Sequence, residues 1–143
     1  MSASAYESIG AIPDITQVGR LIERTSFLGA VHRSVAVYQR LLAQHGVGPE
    51  TANSILLYAG SHPVFVVDAY TERIGTRIGL FRTDEYRAIQ GYFEQRIPRD
   101  LATYQEYHAL LVRHAKTLCR RTNPMCAGCP IQSLCDFGRR RKR

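Results

Sequence analysis

The sequence predicts an all-α fold, and three observations predict it. Apolar residues recur with the 3.6-residue period of amphipathic helices through most of the chain. No two alternating apolar–polar segments joined by a tight turn mark a β-hairpin. Helix-boundary residues stand where the periodic segments begin: Asp14, Thr83 and Asp100 as N-caps, and Pro49 in a first turn just after Gly48. Pro98 separates the last two long helices. The expected helices are 15–25, 30–44, 49–60, 69–79, 83–95 and 100–121. The expected organisation is a helical domain over 1–112, with a helical hairpin at about 41–58, then a cysteine loop and basic tail over 113–143.

Composition narrows the classes. Apolar residues make up 45% of the 143 residues, enough for a packed core and against bulk disorder. No apolar run approaches the roughly 20 residues of a membrane span. The start, MSASAYESIGAIPD, lacks the basic and long apolar stretches of a signal peptide. A cytoplasmic protein is expected, in which thiols stay reduced and clustered cysteines bind metal more often than they pair. The net charge is +7, and its placement matters more than its size. From Arg113 to Arg143 nine Lys and Arg face one acid, Asp136, whereas residues 1–112 hold ten Arg against eleven acids. Such a localised basic region suits a polyanion or serves as a solubilising tail.

The stretch HGVGPETANSILLYA, His45 to Ala59, reads as two helices joined by a very tight turn. Glycines allow a positive φ there and let another backbone approach. The second helix would begin with unpaired N–H groups and the positive end of its dipole, a site for a phosphate read without regard to sequence. Ala52, Ile55 and Leu56 would form its buried face. Next, Val64 to Val67 form an apolar run that ends in Asp68. Asp68 is either an N-cap or a partly dehydrated carboxylate that stabilises a developing cation or activates a water.

All four cysteines lie in CRRTNPMCAGCPIQSLC, spaced C-x6-C-x2-C-x5-C as Cys119, Cys126, Cys129 and Cys135. Four thiolates suit an iron–sulfur cluster and also a structural zinc. Zinc ribbons usually bring two C-x2-C knuckles, and this chain has one. The histidines His32, His45, His62, His108 and His114 form no H-x-x-x-H pair, so surface or half-buried roles are expected for them. Tyr104 and Tyr107, three apart on the late helix, are read as packing residues.

Together, Gly46-Val47-Gly48, then Pro63…Val66-Val67-Asp68, then the four-cysteine spacing resemble the endonuclease III superfamily of DNA glycosylases. The resemblance covers roughly residues 30–137. It implies a helix-hairpin-helix glycosylase fold, here partial, with a C-terminal iron–sulfur loop. It implies a 4Fe-4S cluster on Cys119, Cys126, Cys129 and Cys135, mainly structural and holding a basic loop against DNA. It implies that Gly46, Val47, Gly48 and Thr51 contact the backbone of double-stranded DNA carrying a damaged base, and that Asp68 is catalytic. Members that also cut the strand use a lysine two residues after the second hairpin glycine. This chain has Glu50 there, and its two lysines, Lys116 and Lys142, lie far along the sequence. A carboxylate cannot form an imine. The wording GPETA, ILLYA and VFVVDAYT looks like the monofunctional branch that includes some 3-methyladenine glycosylases. Glu50 either lines the pocket or simply complements the helix dipole.

Two departures accompany the resemblance. Family members usually carry more chain before the hairpin, including residues that fill the gap left by a flipped base, and they prefer an apolar residue where Gln44 stands. The apolar faces near Ile55 and Ile74 are therefore expected to lose partners, each uncovered large side chain forgoing about 1.5–3 kcal/mol. The alternative to an enzyme is a non-catalytic DNA-binding remnant of such a glycosylase. No protein partner and no membrane partner are legible.

Overall fold

The computed structural model describes residues 30–141, which are helical with no strand among them. The expected helix at 15–25 and the cap Asp14 lie outside the described residues. The chain divides into two compact units, one ending at His62 and one beginning at Pro63. The expected division after residue 112 falls inside a helix of the second unit.

In the first unit, α1 (Ala30–Leu42) packs against α2 (Pro49–Tyr58). Val37 and Leu41 of α1 are buried, as are Ala52, Asn53, Leu56 and Leu57 of α2. Ile55, expected in the buried face, is only half-buried, and Asn53 and Leu57 complete the face instead. The α1 helix stops two residues short of expectation because the chain tightens at once: Gln44 N–H bonds Leu41 O and Val47 N–H bonds Gln44 O. Gln44 is exposed and its Nε2 donates to Arg40 O at 3.3 Å. A polar residue is well placed at that position, since it serves one of the last free carbonyls of α1.

The second unit begins with an extended segment, Pro63 to Asp68, followed by α3 (Ala69–Ile78), α4 (Tyr86–Glu94) and α5 (Leu101–Thr117). Two 3-10 turns, Cys126–Gly128 and Gln132–Leu134, lead into the short α6 (Asp136–Arg140). Asp100 caps α5 as expected, its carboxylate accepting from Thr103 N–H at 2.8 Å. Thr83 does not cap α4. Glu85 does, accepting from the N–H groups of Arg87 and Ala88, while Thr83 Oγ1 accepts from Glu85 N–H one turn earlier. The longer Glu side chain reaches two helix donors from a point closer to α4.

The core of this unit is aromatic. Phe65 stacks on Phe93 at 4.4 Å, and Tyr104 and Tyr107 meet Phe65 edge-on at 5.5 and 5.8 Å. The two tyrosines therefore pack as expected, here under the segment that carries Asp68. Phe81 is held edge-on by Tyr92 and Phe93 and lies over Gly75 of α3, where a Cβ would come within 2.1 Å of its ring. Replacing Gly75 by Ala is expected to destabilise the fold. The methyl favours helix by about 0.5–1 kcal/mol, but displacing a ring clamped on two sides costs about 1–3 kcal/mol. A lower midpoint of thermal or urea unfolding, about 1–2 kcal/mol net, checks this.

Candidate functional site

Asp68 is built into the start of α3. Its Oδ1 accepts from Thr71 N–H at 2.7 Å and from Thr71 Oγ1 at 2.8 Å, so it is an N-cap. Its Oδ2 lies 3.4 Å from His108 Nε2 of α5, and both side chains are about nine-tenths covered, at 10% and 12% exposure. Burial pushes the carboxyl upward. The His108 side chain, the N–H and hydroxyl of Thr71, and the electrostatic pull of His108 together outweigh burial and hold Asp68 below the usual carboxylate range. It stays ionised at neutral pH in a half-dry setting. The N-cap and the chemically poised carboxylate are thus one residue in one geometry.

The segment before Asp68 is tied down from α4. Phe65 N–H donates to Glu94 Oε1 at 2.9 Å, Gln90 Nε2 donates to Phe65 O at 2.7 Å, and Val67 N–H reaches the Tyr86 hydroxyl at 3.4 Å. Phe65, Val66 and Val67 are buried. A strand-like run with no strand beside it thus has its backbone groups served by side chains. None of these partners was legible locally, because each lies 19 to 29 residues away.

The four cysteines line one pocket with Ile74, Ile78, Leu118, Pro124, Met125 and Ile131. All four are free thiols. Ile74, expected to be uncovered, is 2% exposed because this loop folds over it. Among the described residues no three His, Cys, Asp or Glu side chains converge as ligands of a single metal ion. Four thiols lining one apolar cavity suit an iron–sulfur cluster or a structural zinc. Cys135 Sγ accepts from Gly138 N–H at 3.3 Å and so caps α6. His114 Nε2 lies 3.7 Å from Cys129 Sγ, and burial draws its imidazole below the usual range.

One residue that motif reading passed over organises this loop. Arg77 of α3 donates to the carbonyls of Arg120 at 2.7 Å and Arg121 at 3.1 Å and to Cys119 Sγ at 3.3 Å. Its guanidinium also sits over the Phe137 ring at 4.7 Å. Arg73, one turn earlier, donates to Cys119 O at 3.0 Å. The signal available was their i, i+4 spacing on the helix after Asp68. Arg113, Lys116, Arg120, Arg121 and Arg139 to Arg141 are all exposed, so the basic face survives folding.

In the hairpin, Gly46 has φ +80, a conformation costly for other residues. Gly48 does not: its φ is −93 and ψ 178, and a Cβ there would meet nothing within 4 Å. Within this unit, nothing near Gly48 requires a glycine, and its bareness leaves room outside. Gly48, the N-cap of α2, supplies no side-chain cap to its first N–H groups. Glu50 and Thr51 are exposed. The hairpin belongs to the first unit and Asp68 and the cysteines to the second.

No protein-family model matches the chain. Individual proteins do. A protein of Methanocaldococcus jannaschii named "Putative DNA repair glycosylase" is 49% identical over 96 residues, 66% of this chain and 43% of that one. The endonuclease III of Thermotoga maritima is 30% identical over 103 residues, 72% of this chain and 47% of that one. Two solved endonuclease III–DNA complexes, one a trapped covalent intermediate and one non-covalent, superpose with a TM-score of 0.69 at 28% identity, over 74% of this chain and 49% of each. The chain belongs to the endonuclease III superfamily. It spans about half the length of the curated superfamily members it matches. Among the described residues no helix is long and apolar enough to cross a membrane.

Proposed function

We propose that this chain is a base-excision DNA glycosylase that hydrolyses the N-glycosidic bond of a damaged base in double-stranded DNA, without the lysine-dependent strand-cleavage step. The observation that carries the reading is the Asp68 carboxylate, ionised, half-dry and fixed at a helix N-terminus. As the base leaves with the bonding electrons, positive charge accumulates on the sugar. A fixed carboxylate opposes that charge more effectively than mobile water can. Water then bonds to C1′ and loses a proton to solvent, and the sugar keeps a hydroxyl. The target nucleotide leaves the stack to reach the carboxylate. An alkylated purine suits this site best, since it already carries positive charge and departs without an acid. Gly46, Val47, Gly48 and Thr51 would hold a phosphate at the start of α2, with the exposed basic residues of the second unit adding affinity that falls with salt.

Glu50 stands where strand-cutting superfamily members place their lysine, and its carboxylate cannot attack C1′ to give an imine. Cys119, Cys126, Cys129 and Cys135 would hold a 4Fe-4S cluster. When bound it supplies a covalent tie within the loop and no step of the hydrolysis. Arg77 and Arg73 hold that loop by its carbonyls to the helix whose N-terminus carries Asp68.

Duplexes carrying an alkylated purine, an oxidised pyrimidine or an abasic site test the proposal, with and without borohydride. Release of the alkylated base and no borohydride-trapped adduct are expected. A trapped adduct would overturn the hydrolytic reading. Salt-dependent binding with no release from any duplex would leave the non-catalytic DNA binder.

A further inference from the structure

We infer that His108 is a positioning residue for Asp68: it holds the carboxylate oxygen that the N-cap leaves over. The two oxygens of Asp68 have different neighbours. Oδ1 is occupied twice, by the N–H and the hydroxyl of Thr71. Only Oδ2 remains to face substrate, and the group beside it is the His108 imidazole, 3.4 Å away. That separation is longer than a good N–H···O bond. The imidazole therefore guides the carboxylate without holding it tightly. A shorter contact is expected when substrate excludes the remaining water.

The placement of His108 is built from several parts. Asp100 starts α5, and α5 packs along α3. Tyr104, one turn before His108 on the same face, is fully buried against Phe65 and locks the helix's rotation. The next residue on that face points at the start of α3, where Asp68 begins. His108 is itself 12% exposed.

The chemical consequence follows from the two functions Asp68 combines. An N-cap carboxylate can rotate about its last torsion and present either oxygen to the helix. A donor beside Oδ2 opposes that rotation. It keeps one oxygen on the helix and the other beside the imidazole. Aiming matters because catalytic electrostatics come from charge already in place before the barrier is reached. The tautomer required carries its proton on Nε2. The inference deepens the glycosylase reading and rests on it for its kinetic part, while the pairing itself can be measured without any turnover.

Three proteins test it: wild type, His108→Phe and His108→Gln. Phe keeps the ring's bulk and loses the donor. Gln keeps an N–H donor. The first measurement is the titration of the Asp68 carboxyl by carbon-13 NMR, assigned with Asp68→Asn. The midpoint is expected to move upward in His108→Phe and to return most of the way in His108→Gln. An unchanged midpoint in a folded His108→Phe protein overturns the inference, whatever the activity. The second measurement is single-turnover base release at saturating protein. His108→Phe is expected to slow release by about 10- to 100-fold, the range for losing a hydrogen bond to a charged group. DNA affinity should stay the same, and Gln should recover most of the rate. Equal loss in both variants would overturn the donor role. If wild type releases nothing while the midpoint still shifts, the pairing stands and the glycosylase reading fails.

Discussion

Asp68→Asn is expected to lower base release by about 10²- to 10⁴-fold while leaving the protein folded. The two halves of that statement rest on different chemistry. Asn caps a helix as well as Asp does, so its amide oxygen can take over the Oδ1 bonds to Thr71 N–H and Oγ1. What it cannot supply is the negative charge facing His108 and the substrate sugar. Activity and stability therefore separate, and binding to intact duplex should be unaltered. Asp68→Ala gives the contrast: it loses the cap as well, about 0.5–2 kcal/mol of stability. The sign of the pH effect follows from the direction of the shift. Asp68 is held below the usual carboxylate range, so folding favours its ionised form. That contribution is complete above the unfolded value and is lost as pH falls through the lower folded value. Wild type should thus exceed Asp68→Asn in stability near neutrality, and the gap should close on acidification below about pH 4. A gap that widened in acid would mean the carboxylate is not stabilised by its neighbours. Full base release by a folded Asn variant would remove Asp68 from the chemistry.

The helices were legible because their apolar faces repeat and their ends are marked. Asp100 shows this best: one carboxylate three residues before a threonine donor is a local pattern, and the structure uses it. Thr83 shows the limit, since Glu85 two residues later captures the same helix with a longer side chain. The Asp68 cap was equally local, through Thr71. Its second partner was not, because His108 lies on another helix and nothing in the sequence says which faces of α3 and α5 meet. The only usable sign was Tyr104, one turn before His108 on a face already assigned to the core. The loop was half legible. Four cysteines announce a metal group by spacing alone, whereas Arg77 and Arg73 reach its carbonyls from more than 40 residues away. Ile74 makes the same point with apolar area. Reasoning from the expected loss of neighbours uncovered it, but the cysteine loop covers it.

Replacing any one of the four cysteines by Ser is expected to abolish cluster binding and with it the order of residues 119–135. Unmodified protein should carry about four irons and be brown, and each variant should lose both the iron and the visible absorbance. Arg73 and Arg77 hold only the loop's first carbonyls, those of residues 119 to 121. Between α5 and α6 its backbone makes short turns such as Cys129 N–H to Cys126 O and Cys135 N–H to Gln132 O, and no helix of more than three residues. Its pocket wall is apolar, formed by Ile74, Leu118, Met125 and Ile131. Cys135→Ser is the sharpest of the four. Cys135 Sγ caps α6 through Gly138 N–H, and Ser is a better N-cap than Cys. If Cys135 only capped the helix, Ser would preserve or improve stability. If it binds iron, Ser removes a ligand, and the protein loses colour despite the improved cap. Cys126 supplies the opposite control, because it is half-exposed and its side chain caps nothing. A purely structural role for the thiols predicts a mild effect there and none, or a gain, at Cys135. Shared ligation predicts the same loss at both. One zinc per chain and no iron would instead assign the thiols to a single ion.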